Sequence, residues 1–317
     1  MLRLFDFVNG KLVERKFDRS LLDQAVSHTS WVDAQDTSDE ERDRLELLLH
    51  TELPESDDVE EIESSARYFT DGSGIHVHSM FLSQSEGRLV INTVAFILQP
   101  TRLITVREAE LADFRLLRMR ALRGQIEAHN PKDLLLTMLE QKVENLADTI
   151  EDIYLELEKV SHSVLEDQNA ELEEAIENLA LLEDSNGKIR MCLMDTQRSI
   201  SFLQRQLRDS PSVQEVVPEI MRDIDTLMSH TNFMFEKINF LMDAAQGFIN
   251  IEQNKIINIF SIASVVFLPP TLVASIYGMN FVHMPELQWL GGYPLALGMM
   301  ILAGIAPYLY FKRKNWL

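Results

Sequence analysis

The stretch Asn254–Phe281, NKIINIFSIASVVFLPPTLVASIYGMNF, decides the fold. From Ile256 to Tyr277 it carries no charged residue, and a helix needs roughly 20 apolar residues to cross a bilayer core. It reads as a membrane span. A second uncharged run, Tyr293–Phe311, follows a short loop and is closed by a basic ring, Lys312, Arg313 and Lys314. Cations beside a span are held on the cytoplasmic side. This predicts both termini inside, the Gly278–Gly292 loop outside and the membrane as an obligatory partner.

The polar residues of the first span are patterned. Asn254, Ile257, Ser261, Ser264, Leu268, Thr271 and Ser275 fall at alternating steps of three and four, which is one stripe of a helix. A stripe rich in hydroxyl and amide groups in a membrane helix must face protein or water. It is either a pore lining built by several copies around an axis or a tight helix–helix contact of the kind Ser and Thr often make.

The end of the span carries Tyr277-Gly278-Met279-Asn280, followed by Phe281 and Met284-Pro285-Glu286-Leu287. With NFLMDAAQGFINIEQNKIINIF before the span, VVFLPPTLVAS within it and ILAGIAPYLYFKRKNWL at the end, the chain resembles the CorA family of bacterial magnesium and cobalt transporters over nearly its whole length. A Gly-Met-Asn tripeptide alone is weak, since it recurs by chance. Its place at the outer end of the penultimate span gives it weight. The sequence departs from many relatives at Val282 and His283, where they have an acidic residue, which leaves Glu286 as the main carboxylate of the outer mouth.

The resemblance implies a homopentameric funnel in the inner membrane, with five first spans inside and five second spans outside. Two spans per chain cannot by themselves enclose a hydrophilic path. It also implies a filter of Gly278, Met279 and Asn280, where five amide oxygens grip Mg²⁺ with its reluctantly lost waters. Co²⁺ and Ni²⁺, of similar size and octahedral preference, are expected to follow the same path. Asn254, Ile257, Phe260, Ser261, Ser264, Leu268 and Thr271 line the pore in this reading. Of these, Ile257, Phe260 and Leu268 are candidates for a constriction that gates by dewetting. Asp223 and Asp243 lie where the family places part of a regulatory site for cytoplasmic Mg²⁺. Two alternatives stand beside this reading: zinc transport within the same superfamily, and a membrane-tethered scaffold or sensor without a pore.

Composition sets the outer bounds. Fifty acidic against 29 basic residues give a net charge of −21, which repels nucleic acid and attracts cations. The lone cysteine, Cys192, cannot form an intrachain disulfide, and it reads as a small buried hydrophobe. The N-terminus interrupts its apolar residues with charges too early for a signal peptide. No GxGxxG or GxxxxGK[ST] motif occurs, and no nucleophile stands at recognisable spacing from a base, so an enzyme is not expected.

The expected architecture is an α+β cytoplasmic domain, a small α/β sheet plus long helices, joined by a stalk helix to two C-terminal transmembrane helices. Residues 1–130 form the α/β part. A short helix is predicted at Glu40–His50 and strands at Ile75–Leu82, Leu89–Leu98 and Leu103–Val106. His76 and His78 alternate on one strand face and read as surface histidines sooner than metal ligands, since no third ligand accompanies them. Residues 131–217 form an acidic helical pair, from Pro131 and from about Ala170 to Leu207. Pro131–Lys188 contains 16 Asp and Glu against four Lys. The stalk and first span, 218–277, make a helix on the order of 90 Å at 1.5 Å per residue. The loop at 278–292, the second span at 293–311 and the basic tail at 312–317 complete the chain.

Overall fold

The computed structural model describes residues 1–17, 22–54, 67–167, 171–281 and 284–314. Val282 and His283 lie outside the described residues, as do Ala170 and the tail beyond Lys314. The chain divides into two units, Met1–Met242 and Asp243–Leu317.

The first unit is built on a seven-stranded sheet in the order β2-β1-β3-β7-β6-β5-β4. Its strands are β1 (Leu2–Val8), β2 (Lys11–Arg15), β3 (Trp31–Gln35), β4 (Tyr68–Thr70), β5 (Ile75–Ser85), β6 (Arg88–Leu98) and β7 (Leu103–Arg107). All neighbours are antiparallel except β3 and β7, which run parallel with Val32 opposite Ile104. The β1–β2 turn is Asn9-Gly10, with φ of 52° and 75°, the left-handed pair that a two-residue hairpin demands. That dipeptide was a legible hairpin signal, and the expectation above lacked both strands. It lacked β3 and β4 as well.

Successive side chains of a strand point to opposite faces, and here both faces are covered. On one, Leu4, Val32, Ala34, Ile97 and Ile104 pack with Leu22 and Val26 of α1 (Leu22–Ser27) and Leu45 and Leu49 of α2 (Asp39–Leu49). On the other, an aromatic cluster joins Phe5, Trp31, Phe81 and Phe96 to Phe114 of α3 (Ala112–Leu122). Two long helices follow, α4 (Pro131–Glu166) and α5 (Leu172–Gln206). Asn130 caps α4, its side-chain oxygen accepting from the Lys132 and Asp133 amides at 3.0 Å each, and Pro131 occupies the first turn where no donor is lost.

Helix α6 runs from Pro211 to Tyr277, 67 residues, so it begins seven residues before the expected Pro218, which sits inside it. Pro269 and Pro270 also lie within its bounds. After a 3₁₀ turn at Pro285–Gln288, α7 spans Gly292–Arg313. Among the described residues, α6 and α7 are the two helices long and apolar enough to cross a membrane. The apolar window of α6 has 0% of its residues buried within the chain, so lipid or other copies must cover it.

Candidate functional site

In the second unit the polar stripe is placed by the packing of the two spans. Ile262, Ala263, Val266, Pro269, Pro270, Val273 and Tyr277 are half-buried, whereas Asn254, Ile257, Phe260, Ser261, Ser264, Leu268, Thr271 and Ser275 are exposed. At 100° per residue the centres of the half-buried set and of the stripe lie about 180° apart around the helix. The half-buried side is the one α7 approaches. A Cβ added at Gly304 would stand 3.4 Å from Pro270 Cγ and 3.7 Å from the Val266 carbonyl oxygen. Glycine therefore lets the two spans come close at their middles, as small residues do in membranes. The stripe faces away from its own partner span.

Two hydroxyls of the stripe are already satisfied. Ser264 Oγ donates to the Phe260 carbonyl at 2.8 Å and Thr271 Oγ1 to the Phe267 carbonyl at 2.7 Å. Such bonds to the preceding turn let Ser and Thr sit in an apolar helix without an orphaned donor. Hydroxyl content alone therefore does not require water at the stripe, and its position opposite α7 is the stronger observation.

Helix α6 ends by two backbone bonds, from the Gly278 amide to the Ala274 carbonyl at 2.9 Å and from Met279 to Ile276 at 3.3 Å. Glycine at the end of a helix commonly takes a left-handed φ, but Gly278 is not among the positive-φ glycines, which are Gly10, Gly74, Gly87 and Gly124. Space is what it supplies: a Cβ there would stand 3.1 Å from the Ala274 oxygen. Met279, Asn280 and Phe281 beyond it are exposed. Glu286 belongs to the 3₁₀ turn, and Lys312 and Arg313 form the last turn of α7, with Lys314 its cap.

Residues 26–313 match the family described as CorA-like Mg²⁺ transporter protein. The chain belongs to the CorA family. It is 50% identical over 319 residues to the magnesium transport protein CorA of Escherichia coli strain K12, covering 100% of both chains. The same identity and coverage hold for the CorA protein of Salmonella typhimurium strain LT2. In structure it is similar to the complete CorA magnesium transporter of Methanocaldococcus jannaschii, with a TM-score of 0.76 over 100% of this chain and 99% of that one. At 18% identity that likeness shows the fold.

The soluble unit of this CorA chain holds three polar clusters. The first joins α4 and α6 of the same chain. Burial lifts the Glu140 carboxyl above its ordinary range, and Glu144, Glu219 and Asp223 lift it further. Asp223 thus faces other carboxylates, while Asp243 opens the second unit as an exposed residue. Among the described residues no group of three or more His, Cys, Asp or Glu has a metal-holding arrangement.

The second cluster corrects an expectation. His76 and His78 are each only 3% exposed, not surface residues. His76 stacks on Phe69 at 4.3 Å, and its Nε2 lies 3.1 Å from Asp71 Oδ1 and 3.0 Å from Ser73 Oγ. Burial pushes its pKa down against the pull of Asp71. Both rings point into the face covered by neighbouring elements, so the strand alternation was right and its solvent side was not.

The third cluster escaped sequence reasoning. Asp195 of α5 accepts from the Tyr68 hydroxyl at 2.8 Å, Ser79 Oγ at 2.8 Å and the Met80 amide at 2.7 Å. Arg67 stands 3.3 Å away, and Lys142 Nζ donates to Ser79 Oγ at 2.9 Å. The signal was present: Lys142 interrupts the apolar series Leu135, Leu139, Leu146, Ile150 of α4 at the same three-four spacing. These groups bind one another and tie α4 and α5 to β5, which is structural work.

Proposed function

We propose that the chain assembles as a homopentameric channel that admits Mg²⁺ into the cytoplasm across the inner membrane, with Co²⁺ and Ni²⁺ as alternative substrates. The observation that carries this is the stripe of α6 lying half a turn from the side α7 occupies. Five copies arranged with α7 outward bring five stripes to a common axis. Asn254, Ile257, Phe260, Ser261, Ser264, Leu268 and Thr271 then line the path, and Gly278, Met279 and Asn280 end it. Asn280 offers a neutral amide oxygen to the waters of a hydrated ion, which suits an ion that dehydrates reluctantly. Glu286 draws cations to the outer mouth. Lys312, Arg313 and Lys314 hold the C-terminus inside.

Entry requires no nucleotide. A negative-inside potential favours a divalent ion by about 4.6 kcal/mol per 100 mV, twice the single-charge value. Cytoplasmic Mg²⁺ closes the path by bridging carboxylates between subunits, with Asp223 and Asp243 on α6 as candidates. The support is electrostatic: a net charge of −21 per chain makes five copies repel one another until cations intervene.

The test is flux. The purified protein in liposomes with a trapped Mg²⁺ indicator should load the vesicles when the inside is made negative. Uptake no faster than in protein-free vesicles rejects the channel and favours a non-conducting scaffold.

A further inference from the structure

Below the Gly304–Pro270 contact, toward the Asn254 end of the first span, the two spans border an open cleft of about 500 Å³. Its lining runs along α6 from Val266 and Phe267 through Ala263, Ile259 and Asn258 to Lys255, with Tyr308 contributed by α7. We propose that this cleft holds an acyl chain of an anionic phospholipid from the cytoplasmic leaflet, with the lipid phosphate at Lys255. The inference rests on the orientation given under the proposed function.

Three features converge on a lipid. Apart from Asn258 near the Lys255 end, the lining is apolar along one helix side from Val266 to Lys255, about 16 Å at 1.5 Å per residue, close to half of a ~30 Å hydrocarbon core. The single cation of the lining stands at the end where the headgroups of that leaflet would be. Tyr308 is the aromatic of the lining contributed by α7, and tyrosines favour that depth. Lys312 follows Tyr308 by four residues, so it lies on the same side of α7 one turn further out. In a chain of net charge −21, an anionic headgroup is repelled by most of the surface and attracted here.

The cleft is also on the right side for lipid. It opens beside α7, half a turn from the stripe assigned to the common axis of the copies. A neighbouring copy would have to reach around α7 to cover it.

The experiment uses the full-length protein in nanodiscs of equal phosphatidylglycerol and phosphatidylcholine, with the lipid retained after transfer to detergent counted by mass spectrometry. The wild type should keep phosphatidylglycerol over phosphatidylcholine by about fivefold, the effect of one interfacial cation on an anionic lipid. Lys255→Gln should bring the ratio near one, and Ala263→Trp, which fills the cleft, should lower both lipids. A ratio of one in the wild type, or one unchanged in Lys255→Gln, overturns the site. So does efficient cross-linking of Ala263→Cys between copies, which would mean that protein covers the cleft. Mg²⁺ uptake is measured on the same preparations. Uptake without lipid preference sinks the lipid site alone, whereas lipid preference without uptake sinks the channel and leaves the site standing.

Discussion

Lys142 Nζ lies 3.6 Å from Asp195 Oδ2 in the interior of the soluble unit, with 2% and 4% of the two side chains exposed. Arg67 is a second buried cation on the same carboxylate. Removing one partner of a buried pair costs about 3–5 kcal/mol, because the remaining charge stays desolvated. Asp195→Ala should therefore lower the thermal unfolding temperature of the purified protein sharply. Adding Lys142→Met should recover part of the loss by removing one of the stranded cations. An unfolding temperature equal to the wild type in the single variant would show that the network is dispensable.

Cys192 sits fully buried beside this network, and its thiol is pushed up to about 12, by burial first, against the opposing effect of Lys142. The thiolate is the reactive form. Native protein at neutral pH should resist iodoacetamide, and the thiol should react once the chain is unfolded in guanidinium. Stoichiometric labelling of native protein, read by mass spectrometry, would contradict the packing of α5.

Beyond the end of α6, Asn280→Ala should abolish Mg²⁺ uptake while assembly is retained if the proposed filter is right, because it removes an amide from an exposed position that no described hydrogen bond uses. Gly278→Ala should impair uptake less and by a different route: its Cβ meets the Ala274 oxygen at 3.1 Å, so the end of the helix next to Asn280 must give by a few tenths of an ångström. Wild-type flux in purified Asn280→Ala protein rejects the filter assignment.

The crossing of the two spans predicts a size limit at residue 304. Gly304→Ala places its methyl at ordinary contact with Pro270 and should be tolerated. Gly304→Leu cannot be accommodated without separating the helices, and should shift the detergent-solubilised protein toward lower thermal stability or smaller assemblies. Size-exclusion chromatography with light scattering reads the difference, and an unaltered Leu variant would place the contact elsewhere.

Closure by cytoplasmic Mg²⁺ predicts that millimolar Mg²⁺ protects the soluble unit of the wild type from protease. Asp223→Ala/Asp243→Ala should be protected less and should continue uptake at internal Mg²⁺ that silences the parent. If Mg²⁺ leaves wild-type cleavage unchanged, bridging between subunits is wrong. Equal protection of both proteins moves the sensor to other carboxylates, with Glu140 and Glu219 next to be tested.

The membrane half of the chain was the more legible half. An uncharged run of membrane length and a closing Lys-Arg-Lys are one-dimensional signals, and α7 begins and ends within two residues of the expected run. The acidic helices were equally plain from their periodicity, since α4 starts at the expected Pro131. The β1–β3 part of the sheet was not, because β1 pairs with β3 nearly thirty residues on, and β4 is only three residues long; the β1–β2 hairpin was missed although its Asn9-Gly10 turn was legible. Strand pairing of this kind is decided by tertiary context more than by local preference. For the site, sequence spacing identified the stripe but not which side α7 would take.

The bonds made by Ser264 and Thr271 have a chemical consequence for any path they border. A hydroxyl has one proton to donate and two lone pairs, and here the proton is spent on the helix's own carbonyl. What remains turned outward is electron density alone. A hydrated cation presents the hydrogens of its water shell to its surroundings, so such a surface matches it group for group, whereas an anion's shell or a bare anion asks for protons the surface has already given away. Two side-chain torsions thus tilt the lining toward positive ions before any carboxylate is involved.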